Sequence, residues 1–220
     1  MQILFFIYGC CWGSFLMATA TRYRNHQSLL YPSSHCDTCQ TPLLPWQLVP
    51  VISYGVLRGR CSFCHSRIPP LTFIGELMMG LLATTVTDWH TGRLVLELSL
   101  WCLAALCDNR CQNFPGWISW GSFLLAAIGQ PLPLICVTGS LIVLLHWCWP
   151  RWPRPLVGDG DLEFILCYWL TNGLLPSARW LLTACILALW LTRHTPPTTR
   201  IAFIPYLTTS ALWWWLWPVS

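Results

Sequence analysis

From residue 70 onward the chain is a succession of apolar runs, parted by short segments rich in arginine, glycine and proline. The runs are roughly 15–20 residues long, close to what a helix needs to cross the hydrocarbon of a bilayer. Only 9% of the 220 residues are charged, 55% are apolar, and sixteen are tryptophan, a residue that collects at membrane interfaces. A soluble domain would have to bury too much tryptophan and leucine behind too little charge. The chain therefore reads as an all-α polytopic membrane protein.

The first run, ILFFIYGCCWGSFLMATA, has no basic region before it, and Arg22 and Arg24 follow it instead. It reads as an anchor that stays rather than a secretory signal. Gly9 and Gly13 form a small-xxx-small pair suited to close helix packing. Eight spans are expected, near 3–20, 71–87, 94–107, 116–130, 134–149, 162–175, 178–192 and 202–217. The weak point of that count is the 162–192 stretch, where two helices can merge into one. Residues 1–21 then form the first transmembrane helix, 22–70 a loop domain, and 71–220 the remaining membrane domain.

The chain has no lysine, and its net charge of +4 comes from twelve arginines. They are scattered among loops and make no patch for nucleic acid. They do report topology. With eight spans, one side receives Arg22, Arg24, Arg58, Arg60, Arg67, Arg110, Arg151, Arg154, Arg193 and Arg200, whereas Arg93 and Arg179 fall opposite. The positive-inside bias makes the first side, with the 22–70 loop, cytoplasmic.

Thirteen cysteines divide into two kinds. Most lie in or beside apolar runs, where a thiol behaves as a small hydrophobe. Cys36 and Cys39 (CDTC) and Cys61 and Cys64 (CSFC) form two C-x-x-C knuckles in the polar loop. That spacing suits a structural, four-thiolate Zn2+ site of the zinc-ribbon kind. Two disulfides are the rival account, disfavoured in a reducing cytoplasm. His35 and His65 flank the knuckles as substitute ligands or as ordinary loop histidines. A loop of this size has little core of its own, and metal binding supplies free energy for folding it.

Two aspartates stand where spans meet loops. Asp108 closes LVLELSLWCLAALC and opens DNRCQNFPG, while Asp161 closes VGDGD and opens LEFILCYWL. A carboxylate at such a depth is costly unless it is hydrated or paired, which makes it a functional candidate. Helix capping explains each equally well. Two carboxylates brought close titrate as a pair sharing one proton, so that one takes a proton from water while the other donates to a peptide carbonyl. Gly158 and Gly160 permit close backbone approach beside them. Two non-proteolytic readings compete: a non-enzymatic membrane protein that docks partners through its zinc loop, and a proton-coupled transporter using Asp108, Asp161, Glu76 or Glu97.

At this point the motifs carry a resemblance. GSFL (13–16), YR (23–24), PSSHCDTC, VPVISYGVLRGRCSFC (49–64), Glu76 in GELMMG, DNRCQNFP, GDGD (158–161) and IAFIPYL (201–207) occur in the order of the type IV prepilin peptidases. These are membrane aspartic proteases of the G-x-G-D type, which this chain resembles over most of its length. The resemblance implies that Asp108 and Asp161 are the catalytic aspartates, that Gly158 and Gly160 belong to the G-x-G-D motif, and that Cys36, Cys39, Cys61 and Cys64 ligate zinc. Asp159 falls at the variable position and is a bystander. Glu163 stands where the family commonly has lysine, and a like charge near Asp161 raises the apparent pKa of the dyad if the side chains approach. The family removes leader peptides from prepilins or pseudopilins after a glycine, at the cytoplasmic face of the bacterial inner membrane. Many members then N-methylate the new amino terminus with S-adenosylmethionine.

Overall fold

A computed structural model describes residues 1–111, 114–151, 158–194 and 201–217; at 109–111, 150 and 159 only the backbone is described. The helices are α1 (Gln2–Arg24), α2 (Ile52–Val56), α3 (Pro70–Thr84), α4 (Trp89–Cys111), α5 (Gly116–Ala127), α6 (Leu132–Cys148), α7 (Asp159–Asn172), α8 (Leu174–Thr192) and α9 (Ile204–Leu216). Short 3₁₀ turns lie at Pro45–Leu48 and Trp149–Arg151. Among the described residues there is no strand, only two isolated bridges, His35 with Pro42 and Arg60 with Arg67.

Leaving out the five-residue α2, each of the eight helices answers to one expected span. Three of them, Gln2–Arg24, Trp89–Asp108 and Leu174–Thr192, are long and apolar enough by themselves to cross a membrane, and Pro70–Thr84 and Leu132–Cys148 are shorter apolar helices. The uncertain 162–192 stretch is two helices, because Gly173 takes φ 82° between α7 and α8. That backbone conformation is one glycine adopts without a Cβ penalty, and it cannot continue a helix. Prolines begin other helices where a missing N–H costs nothing: Pro70 opens α3, and Pro205 sits in the first turn of α9. α4 is longer than expected at both ends. It starts at Trp89 and runs through Asp108 to Cys111, so Asp108 lies within the helix rather than in a turn after it.

The chain forms two compact units, Met1–Val95 and Leu96–Ser220. In the first, α1 packs on α3 with backbones nearly touching. A Cβ on Gly9 would lie 2.5 Å from the Met79 carbonyl oxygen, and one on Gly13 would lie 3.0 Å from Cα of Glu76. Only a small-residue seam permits that approach, as the Gly9/Gly13 spacing anticipated. Van der Waals contact along the seam drives such pairing in lipid, where the hydrophobic effect between helices is absent.

In the second unit, α5, α6 and α8 pack on α7, and α9 packs on α8. Its centre is aromatic: Trp101, Phe164 and Trp180 are fully buried, and Trp101 meets Phe164 edge-on at 5.1 Å. Their polar handles are satisfied. Trp101 donates to Ser122 Oγ at 2.7 Å, and Trp180 donates to the Leu207 carbonyl at 2.9 Å. A buried indole N–H without such a partner would be costly, so these bonds fix which helix faces meet. Large apolar side chains such as Leu124, Leu144 and Leu189 face outward and exposed, as lipid-facing residues do.

Candidate active site and metal centre

The cysteine loop folds into two local copies of one turn. Cys36 N–H donates to the Thr41 carbonyl and Gln40 N–H to the Cys36 carbonyl; Cys61 N–H donates to Ser66 and His65 N–H to Cys61 in the same pattern. In each copy the residue after the second cysteine is left-handed, Gln40 at φ 58° and His65 at φ 56°. Each knuckle thus turns both sulfurs the same way. The Sγ atoms of Cys36, Cys39, Cys61 and Cys64 all lie within 4.8 Å of one another.

Cys36 and Cys64 sulfurs are 3.8 Å apart. Tetrahedral thiolate coordination at Zn–S distances of about 2.3 Å sets sulfurs roughly 3.8 Å apart. The four residues can therefore hold one metal ion. Partial burial opposes ionisation of Cys36, yet the amides of Cys39 and Thr38 and the Ser66 hydroxyl outweigh it and bring this thiol down to about 6. The Ser66 hydroxyl likewise lowers Cys64. Cys61 moves the other way. The amides of Cys64 and Phe63 favour its thiolate, but burial and the neighbouring thiols raise it. Both flanking histidines stand outside the sulfur cluster; His35 Nδ1 bonds the Ser33 carbonyl at 2.8 Å.

The aspartates are positioned by helix ends in the second unit. Asp161 lies in the first turn of α7, and the Gly158 N–H donates to its Oδ2 at 3.1 Å. Asp108 lies in the last turn of α4, and its carboxylate accepts the N–H of Ile204, the first residue of α9. Both residues are 8% exposed. The two environments adjoin. A Cβ on Gly160 would overlap the Phe114 ring and come to 3.8 Å from Cδ1 of Ile204, the residue whose amide holds Asp108. Phe114 in turn packs on Phe164 of α7, with ring centroids 5.7 Å apart. Gly160 is therefore glycine because an aromatic ring occupies the space of a side chain.

Each carboxylate is oriented by a backbone N–H, and one such bond does not exhaust the acceptor capacity of a carboxylate. Capping and chemistry are thus compatible at both positions. Asp159 begins α7, and its side chain lies outside the described residues.

Glu163 has a role the sequence did not reveal. Its carboxylate is buried and lies 2.8 Å from Nδ1 of His146, in the last turn of α6. The departure from lysine at this position is matched by a base on the neighbouring helix. Phe114, Ile204 and His146 are the residues that sequence reasoning missed here. Phe114 and Ile204 had a signal only as members of the DNRCQNFP and IAFIPYL segments. Glu97 is buried on α4. Glu76 on α3 accepts the Val51 N–H at 2.8 Å and so ties that helix to the cysteine loop.

Comparison with known proteins extends this picture. Residues 7–90 match the model for the bacterial Peptidase A24 N-terminal domain. A prepilin leader peptidase/N-methyltransferase of Neisseria gonorrhoeae is 26% identical over 86% of this chain and 77% of its own length. A type 4 prepilin-like proteins leader peptide-processing enzyme of Escherichia coli is 28% identical over 94% of this chain and 90% of its own. A prepilin leader peptidase/N-methyltransferase of Pseudomonas putida is 29% identical over 81% and 70% respectively. No solved structure matches the chain.

Proposed function

We propose that this chain, which belongs to the type IV prepilin peptidase family, is an aspartic endopeptidase of the bacterial membrane that removes the leader of a prepilin or pseudopilin and N-methylates the new amino terminus. Asp108 and Asp161 are the working carboxylates. The observation that carries this assignment is their common ground: Ile204 holds Asp108 through its amide, and its Cδ1 lies 3.8 Å from where a Cβ on Gly160, next to Asp161, would stand. One carboxylate, ionised, takes a proton from the attacking water; the other, protonated, donates to the scissile carbonyl. No nucleophilic side chain is required. The substrate's apolar helix stays in the bilayer while its scissile bond, after glycine, meets the dyad as an extended strand.

The arginine distribution supports a site at the cytoplasmic face of the inner membrane. Cys36, Cys39, Cys61 and Cys64 hold a structural zinc, supported by the convergence of four sulfurs with no other ligand class among them. S-adenosylmethionine supplies the methyl group when bound. The docking-protein alternative is not favoured, since the relatives are named as processing enzymes.

The test is intact-mass analysis of a prepilin co-expressed with the wild-type chain, Asp108→Asn or Asp161→Asn. Loss of the leader with wild type alone, plus one methyl group on the product, is the expected result. Equal cleavage by all three would end the aspartic mechanism.

A further inference from the structure

One face of the cysteine loop is apolar and exposed. The five-residue helix α2 presents Ile52 and Val56, one turn apart and 64% and 66% exposed. Trp46, Leu48 and Val49 are exposed in and after the Pro45–Leu48 turn, which packs on α2. A contiguous set of exposed apolar side chains in a loop marks a surface that is covered in use.

What covers it follows from where α2 is held. Tyr54 stacks on Phe73, in the first turn of α3, at 5.0 Å between ring centroids. Val51, at the entrance to α2, donates its N–H to Glu76, about one turn further along α3. Val51 is left-handed at φ 63°, a conformation that a β-branched residue keeps only where its surroundings enforce it. Two fastenings therefore fix α2 against the first two turns of α3. Tyr54 turns toward α3, so Ile52 and Val56, on the opposite side of α2, turn outward.

Those two turns are within reach of lipid. The 15 residues of α3, at about 1.5 Å each, span roughly 22 Å, less than the ~30 Å thickness of the hydrocarbon. Leu71, Ile74, Met78 and Leu81 form an exposed apolar stripe on α3, and that stripe begins in its first turn. The outward face of α2 thus stands beside turns that already present apolar side chains to the bilayer. Charge agrees with this placement. Arg58 and Arg60 follow α2 and are both exposed, and no acidic residue occurs from Thr38 to Gly75. Anionic headgroups attract basic residues beside a membrane helix, and tryptophan favours the interface. An apolar face flanked by arginine is what a segment lying in that interface requires.

We propose that α2 and the Pro45–Leu48 turn form a foot that rests on an anionic bilayer, with Trp46, Ile52 and Val56 entering it beside α3 and Arg58 and Arg60 meeting lipid headgroups. The foot depends on the membrane placement of α1 and α3, and on neither leader cleavage nor methyl transfer. It sets the height of the cysteine loop over the bilayer.

The experiment puts the photo-crosslinker p-benzoylphenylalanine in place of Val56 in the full-length protein, reconstituted in vesicles of phosphatidylglycerol or of phosphatidylcholine. A second protein carries it in place of Thr38, which is exposed in the first knuckle. Melting temperature reports folding, and intact mass after irradiation measures lipid adducts. In phosphatidylglycerol the probe at 56 should give at least five-fold more lipid adduct than the probe at 38. It should also give at least two-fold more there than in phosphatidylcholine, and Arg58→Ser combined with Arg60→Ser should remove that difference. Equal adduct at the two positions would overturn the foot, as would crosslinks from position 56 to a second copy of the chain in place of lipid. A yield at 56 that ignores headgroup charge would overturn the role of the two arginines. Should the protein with the probe at 56 fail to fold, the same probe in place of Ile52 decides.

Discussion

The candidate metal centre and the candidate aspartate site are built in opposite ways. Four cysteines in two short turns make the first, and each turn sets its own pair of sulfurs by local hydrogen bonds and one left-handed residue. The second takes its parts from the ends of three helices, α4, α7 and α9, and none of those ends creates the site alone. A locally built site tolerates change elsewhere in the chain but loses its metal with any one ligand. A site assembled from helix ends keeps its shape after loss of one charge, yet suffers when packing moves a helix by a fraction of an ångström.

The largest effect that would sharpen this contrast is chemical. Asp161→Asn should leave the Gly158 N–H bond in place, since an amide oxygen accepts it, and should lower leader cleavage by about 10³-fold or more. Melting temperature and metal content should hardly change. A variant that loses stability and activity in proportion would make Asp161 a cap and nothing else.

Second in size is the metal. Cys61→Ser should abolish stoichiometric zinc, measured by elemental analysis, and open the 25–69 segment to limited proteolysis. Retained zinc with three thiolates would break the view that each knuckle is indispensable.

A third test lies in packing at the aspartate site. Gly160→Ala must displace the Phe114 ring, and a shift of about 1 Å at a reacting group costs on the order of 10²-fold in rate. Adding Phe114→Leu should recover part of that loss in kcat. No recovery would show that Gly160 is needed for backbone conformation rather than for space.

A smaller effect belongs to the pair between α6 and α7. Breaking a buried ion pair costs about 3–5 kcal/mol, but His146 is 44% exposed and solvent screens it, so His146→Leu should cost about 1–2 kcal/mol. Thermal melts of the variant, and of Glu163→Gln, measure it.

The smallest prediction concerns Asp88, an aspartate that caps the start of α4. Thr91 donates its backbone N–H to Asp88 Oδ1 at 2.7 Å and its hydroxyl at 3.0 Å, and these bonds hold this exposed carboxyl below its usual range. A depressed folded-state pKa contributes stability above the unfolded value and loses it as pH falls through the folded value. The difference in melting temperature between wild type and Asp88→Asn should therefore be present at pH 7 and vanish in acid. Asp88 is the internal standard against which Asp108 and Asp161 are judged.

What could be read from the sequence follows the same division. The knuckle cysteines were legible because their ligands are neighbours in the chain, and the helices because apolar runs announce them. Asp108 and Asp161 were legible as candidates, yet capping and catalysis looked alike, since a helix end and an active site ask for the same residue. Phe114 and Ile204 were legible as parts of motifs but not in what they pack against. Nothing in an isolated Phe-Pro or Ile-Pro pair states which distant glycine it will touch. Glu163 shows the same limit: its partner, His146, lies on another helix, and a single carboxylate in a sequence does not disclose the base beside it.

The glycine seam between α1 and α3 has an effect on the cysteine loop that contact energies do not describe. α1 ends at Arg24 and α3 begins at Pro70, so the segment between them is a closed ring whose ends are held by two helices in backbone contact. The entropy of closing a ring grows only as about (3/2)RT ln n with its length n. That cost falls on the helix seam, which meets it before any metal arrives. The metal then has only to order the interior of a ring already closed. A valine or leucine at Gly9 would force the helices apart, and its consequence would be felt first as weaker metal retention, in a part of the chain it never touches.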